Sequence, residues 1–218
     1  MYSQISLKTT DQKTLSSNFF DVENPKGGVV YLHMMPATKE SFTKLAERLQ
    51  DLGWRGIAID FRGHGNSEGG PDGYLNFSEE EHQKKYFDVL AALDYLLKSG
   101  LDKKSISIVG ASIGANLGLK LLAQDPEIKK AVLLSPGLSY RGITTKNLVT
   151  KLTAGKEVFF IGSEDDNYTK ECIDELFGLV PEGVVKQKQI YKEAGHGTTI
   201  LERAPDSFDI IINFIIND

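Results

Sequence analysis

Apolar residues in this chain collect in short, nearly unbroken runs: GVVYLH (28–33), GIAIDF (56–61), SISIVG (105–110), AVLLS (131–135) and EVFFIG (157–162). A strand wet on one face alternates apolar and polar positions, whereas a strand covered on both faces does not. The runs therefore predict a parallel sheet sandwiched between two layers. VKQKQIYK (185–192) does alternate, which places it nearer an edge. In the opening forty residues or so, ISLKT and TLSSNFFDV read as antiparallel strands added to one side. Between the runs the spacing turns helical. Phe42, Leu45, Leu49 and Leu52 share one helical face, Tyr86, Leu90, Leu93 and Leu97 a second, and Phe208, Ile211, Ile212 and Ile215 a third. Ser78 and Glu81 have the spacing of a capping box at the start of the second helix. Strands alternating with helices at this spacing predict an α/β fold with a doubly wound sheet. Ligands bind beyond the carboxyl ends of the strands in such sheets, so the residues that follow each run carry the functional information.

Composition narrows the picture without changing it. The 218 residues are 40% hydrophobic and 25% charged, enough for one domain over 1–218 with a sizeable core, and no repeat or linker interrupts them. A net charge of −5 argues against a nucleic-acid or anionic-membrane surface. Cys172 is the one cysteine, so no internal disulfide can form; it falls in a helical stretch, where packing is its expected role. With no signal pattern in MYSQISLKTT and no apolar run of membrane-spanning length, the expected setting is cytoplasmic.

The candidate chemistry begins at Gly110-Ala111-Ser112-Ile113-Gly114. A G-x-S-x-G match alone is weak, but here it follows an apolar strand and opens a helix. A turn that tight strains the serine, demands small neighbours, and presents the hydroxyl near unpaired N–H groups of the helix start. The plain alternative is that Ser112 only caps the helix. A phosphate loop does not fit, because there is no GxxxxGK[ST] and no acid ends AVLLS. A serine hydroxyl needs a base, and the base an orienting acid. Of the four histidines, His33, His64, His82 and His196, only His196 follows Ser112; it lies between two glycines after the 185–192 strand. EVFFIG runs into SEDDNY, where Asp165 and Asp166 both emerge. Asp166 reads as the cap of a helix beginning near Tyr168, which leaves Asp165 as the partner of His196.

With GASIG, GSED and AGHG in this order, and with Asp60-Phe61-Arg62-Gly63-His64-Gly65-Asn66-Ser67 matching D-x-R-G-H-G-x-S, the chain from about residue 28 onward resembles the α/β-hydrolase family. The resemblance implies a doubly wound, mostly parallel eight-stranded sheet with helices on both faces. It makes His64 a turn residue, while His82 falls in a helix and reads as surface. It also implies two oxyanion amides, those of Ile113 and of Met35 in the loop after GVVYLH. Many members read H-G-x there; this chain reads His33-Met34-Met35-Pro36, so Met34 is the substitute donor. Only the 21 residues 137–157 separate Pro136 from Val158, room for a short helix around 145–153 but not for a cap domain. That implies an open, shallow site, with Met34 and Tyr140 as walls. The expected function is hydrolysis of small carboxylic esters through an acyl-enzyme, with Ser112, Asp165 and His196 as triad and no metal or organic cofactor. Thioesterase, amidase or peptidase, perhydrolase and a non-catalytic ligand-binding protein on the same fold remain open.

Overall fold

Every unbroken apolar run forms a strand in the computed structural model, which describes residues 1–217. The strands are β1 (Ser3–Lys8), β2 (Thr14–Phe20), β3 (Gly27–Leu32), β4 (Trp54–Ile59), β5 (Ile106–Ala111), β6 (Lys130–Leu134), the short pair β7 (Ser139–Tyr140) and β8 (Ile143–Thr144), β9 (Glu157–Ser163) and β10 (Val185–Tyr191). Eight of them form one sheet in the order β1-β2-β4-β3-β5-β6-β9-β10. The pairs β1/β2 and β2/β4 are antiparallel and all others parallel. β10 is an edge strand, as its alternation predicts.

The eight helices are α1 (Thr43–Asp51), α2 (Glu79–Gln83), α3 (Lys85–Lys98), α4 (Ile113–Gln124), α5 (Lys146–Val149), α6 (Asn167–Leu179), α7 (Thr199–Arg203) and α8 (Ser207–Ile216) among the described residues. Their apolar stripes cover both faces of the sheet. Val29 and Tyr31 point into a core with Phe42, Leu45 and Leu49 of the α1 side and Ile211, Ile212 and Ile215 of α8. Val30 and Leu32, one residue out of phase, point into a core with Val89, Leu93 and Leu96 of α3, Leu117 and Leu121 of α4, and Ile173 of α6. Side chains alternate across a strand, so a strand with oil on both sides must be apolar at every position. That is why these runs do not alternate.

The helical readings shift in several places. Ser78 and Glu81 form the capping box, but the helix it starts ends at Gln83 and α3 begins at Lys85. The face of α3 on the sheet is 85, 88, 89, 92, 93 and 96; Tyr86, Leu90 and Leu97 lie half-buried beside it. His82 is not on the surface: it is 1% exposed, turned inward together with Lys85. The segment after β6 forms the β7–β8 hairpin and the single turn of α5, where a helix over 145–153 was expected. Asn116 on α4 pins this hairpin. Its Nδ2 donates to Ile143 O (2.9 Å) and its Oδ1 accepts from Gly137 N (3.1 Å).

The D-x-R-G-H-G-x-S stretch is a buried polar turn after β4. Asp60 accepts from Lys39 Nζ (2.6 Å) and Asn66 N (3.0 Å), and Ser67 Oγ donates to Asp60 O (2.6 Å). Arg62 donates through its backbone N (2.9 Å) and Nε (2.8 Å) to Asp88, which is wholly buried. Removing one partner of a buried ion pair strands the other. Arg62→Met is expected to cost about 3–5 kcal/mol of unfolding free energy in urea melts; a loss of under about 1 kcal/mol would show that Asp88 finds relief elsewhere.

Candidate active site

Ser112 joins β5 to α4 with φ 54° and ψ −118°, a left-handed region a serine enters only under constraint. The constraint is close packing on both sides. A Cβ at Gly110 would collide with the backbone of Gly114, and one at Gly114 with the carbonyl of Leu32 at the end of β3. The turn is locked by Ser112 N donating to Leu134 O (2.8 Å) and Asn116 N donating to Ser112 O (3.1 Å). The Ser112 side chain makes no capping hydrogen bond, so helix capping does not account for it. The Ile113 N–H heads α4, where no intrahelical acceptor exists.

His196 sits in the loop after β10, between Gly195 (φ 73°) and Gly197 (φ 58°). Its Nδ1 lies 2.6 Å from Asp166 Oδ2. A carboxylate accepts only, so Nδ1 carries the proton and the lone pair of the neutral ring is on Nε2. The partner is therefore Asp166, and the expected pairing with Asp165 is corrected. Asp166 does occupy the N-cap position of α6, but its carboxylate caps no backbone N–H. It turns to the imidazole and also accepts from Thr169 Oγ1. Cap position and ring contact are compatible because the cap geometry belongs to the backbone and the side chain is free to face outward.

Asp165 shapes the histidine loop instead. It accepts from Gly195 N (3.0 Å) and from the Ser163 hydroxyl, and these two donors hold its carboxyl below the usual range. Ser163 Oγ in turn accepts from Ala194 N (2.8 Å), and Ser135 Oγ accepts from Gly197 N (2.8 Å). The loop that carries His196 is thus stitched to the ends of β6 and β9.

Tyr140 of the hairpin neighbours both the serine and the histidine. Its ring is edge-on to His196 at 6.2 Å between centroids and packs over Gly137, where a Cβ would strike it. Its hydroxyl donates to Ser135 O (3.4 Å) and lies beside the Ser112 hydroxyl. Burial first, and then the Asp166 charge, push the phenol well above its ordinary range, so it stays protonated. No direct hydrogen bond joins Ser112 Oγ to His196 among the described residues; Tyr140 touches both. Ser112 is 8% exposed under this roof, which is more enclosed than the open site expected from the length of the segment.

The loop after β3 brings Met34 and Met35 to the same rim, with their side chains diverging. Met34 packs against Gly197 and the α8-side core, Met35 against the α3-side core. His33 is wholly buried. It donates from Nδ1 to Met34 O (2.7 Å), and its Nε2 accepts from Phe61 N (3.0 Å). A trans peptide points its C=O and N–H in opposite directions, so the Met35 N–H faces away from His33. No group of three or more His, Cys, Asp or Glu is placed to hold a metal ion, and no helix is long and apolar enough to cross a membrane, among the described residues.

Residues 28–157 match the family model for the alpha/beta hydrolase fold, and the chain belongs to that family. Among curated proteins it is similar to two cutinases of Thermobifida alba, est1 and est2, each 26% identical over 136 residues. That stretch is 58% of this chain but 41% of each cutinase. Among solved structures it is similar to the Pyrococcus furiosus esterase Pf2001 (TM-score 0.79, 20% identity, 99% of this chain and 90% of that one). It is also similar to DcsB in complex with a substrate analogue (TM-score 0.81, 16% identity, 99% and 98%) and to the esterase EaEST from Exiguobacterium antarcticum (TM-score 0.75, 15% identity, 98% and 99%). At these identities the solved structures establish the fold.

The Asp166 assignment is open to a direct structural test. A short Nδ1–H···O bond to a carboxylate moves the imidazole proton far downfield in the proton NMR spectrum. That resonance is expected to vanish in Asp166→Asn and to persist in Asp165→Asn; the opposite pattern would return the role to Asp165.

Proposed function

We propose that the protein is a serine carboxylesterase for small esters, acting through an acyl-enzyme on Ser112. The observation that carries this reading is the strained Ser112 turn and the Asp166–His196 pair lying against one tyrosine at the carboxyl edge of the sheet. His196 Nε2, with its lone pair free, takes the Ser112 proton as Oγ attacks the ester carbonyl. Asp166 fixes the tautomer and stabilises the imidazolium. Asp165 keeps the loop in register. A turn of the Ser112 hydroxyl from the phenol of Tyr140 toward His196 completes the triad, in keeping with catalytic hydrogen bonds that tighten only when substrate binds. The Ile113 and Met35 amides receive the oxyanion. Met35 is preferred to Met34 because His33 holds the Met34 carbonyl, which turns the N–H of the same peptide outward. Water then attacks the acyl-enzyme with His196 as base, and no cofactor takes part.

Tyr140 over Ser112, and Met34 beside the histidine loop, favour short acyl groups. The names of the similar cutinases and esterases support ester cleavage as the reaction class, and a panel of esters, thioesters and anilides separates it from the related activities.

Ser112→Ala is expected to abolish hydrolysis of p-nitrophenyl acetate while circular dichroism stays unchanged, and a fluorophosphonate is expected to label Ser112 alone. Turnover surviving in that variant rules out the nucleophile. Asp166→Asn is expected to lower kcat about 10³–10⁴-fold, against less than about tenfold for Asp165→Asn.

A further inference from the structure

Lys85 is the first residue of α3, and its side chain has no exposure at all. A buried ammonium ordinarily has a carboxylate. This one has none within ion-pair distance among the described residues: Asp88, one turn along, gives its oxygens to Arg62. Lys85 Nζ instead donates to His82 Nδ1 (3.0 Å) and to the thioether of Met35 (3.4 Å). The ring centroids of Phe77, Phe61 and Tyr74 stand 5.7, 5.9 and 5.9 Å away, within reach of a cation–π attraction. For packing alone, an apolar side chain of the same length serves this site better, because the charge gives up its water for soft partners.

The thioether belongs to the residue whose amide is the proposed oxyanion donor. The backbone of that loop is held at one residue by His33, through the Met34 carbonyl. Lys85 holds it at the next, through the Met35 side chain. We propose that Lys85 is a positioning residue for hydrolysis: the charged Nζ grips the Met35 thioether and so aims the Met35 N–H at the oxyanion. The proposal rests on the reading of Ser112 as nucleophile.

Charge on Lys85 makes that grip sensitive to pH. The groups facing it are His82 from α2, Asp88 of its own helix, Arg62 and His64 from the turn after β4, Arg141 from the hairpin, and His33 from the end of β3. Burial lowers His33 and His82 to about 4 and His64 to about 2, so all three are neutral near pH 7. Burial raises Asp88 to about 6, and it faces Arg62. Burial lowers Lys85 itself to about 7, which makes it the member of this cluster that loses charge as the solution turns alkaline. The cation is present below that value and absent above it, so the grip weakens with rising pH.

The test uses the full chain, p-nitrophenyl acetate and two variants. In Lys85→Met, kcat is expected to fall about 10–100-fold with KM within about twofold, approaching the loss of an oxyanion donor. The melting temperature is expected to stay or rise, and the variant is expected to lack the alkaline decline of kcat/KM that the lowered Lys85 pKa predicts for the wild type. Met35→Leu keeps the side-chain volume without the sulfur and is expected to lower kcat likewise, which preserves the test if Lys85→Met does not fold. Wild-type kcat in either folded variant, or a fall in kcat matched by a fall in melting temperature with the pH profile unmoved, overturns the proposal while Ser112 labelling stands. A wild type that neither turns over nor takes the fluorophosphonate at Ser112 overturns the hydrolase reading and the role of Lys85 with it.

Discussion

The backbone of Ser112 is held in the left-handed region because β5, α4 and the end of β3 close on it to contact distance. Two missing side chains, at Gly110 and Gly114, permit that approach, and the covered sheet on either side supplies the rigidity that keeps it. A strained serine relaxes unless its surroundings over-determine it. Here the hydrogen bond to Leu134 O, the start of α4 and the Leu32 carbonyl all bear on the same turn. The proposed oxyanion pocket depends on the same closeness. The residue after the serine comes from the head of α4 and the second amide from the loop after β3, and Gly114 is where those two elements touch.

Around this hydrophobic frame runs a second layer of buried polar groups, with one dense cluster at the carboxyl end of the sheet. Asp60, Arg62, His33, His64, His82 and Lys85 all lie beneath the loops that form the rim, each below 5% exposure. Most are fully partnered; His64 Nε2 is not, among the described residues. Buried polar groups are weak contributors to net stability, but they fix geometry in one arrangement. Their concentration here places the cost where precision matters, under Met34, Met35 and the turn after β4; at the opposite end of the sheet the buried lysines Lys130 and Lys156 stand at the starts of β6 and β9.

Much of this was legible beforehand. The unbroken strands, the alternating edge strand, the capping box and the glycine-flanked serine follow from rules that act over a few residues. The choice between Asp165 and Asp166 does not. Both follow β9, both are acidic, and both accept hydrogen bonds; which one meets His196 depends on how the loop after β10 crosses the end of β9. Likewise the helical face chosen for α3 is one step off, because Tyr86, Leu90 and Leu97 pattern as well as the face that packs. His82 reads as a surface residue because nothing near it in the chain reveals the loop that covers it.

The chain alone therefore determined the layered α/β architecture, the turn that presents Ser112 and the loop that presents His196, since local periodicity and steric demand specify each. Tertiary structure decided the partner of His196, the place of Tyr140 over the serine and the enclosure of Lys85 beneath Met35. Those contacts join segments far apart in sequence, and only the crossing of the folded elements brings their side chains within hydrogen-bonding distance.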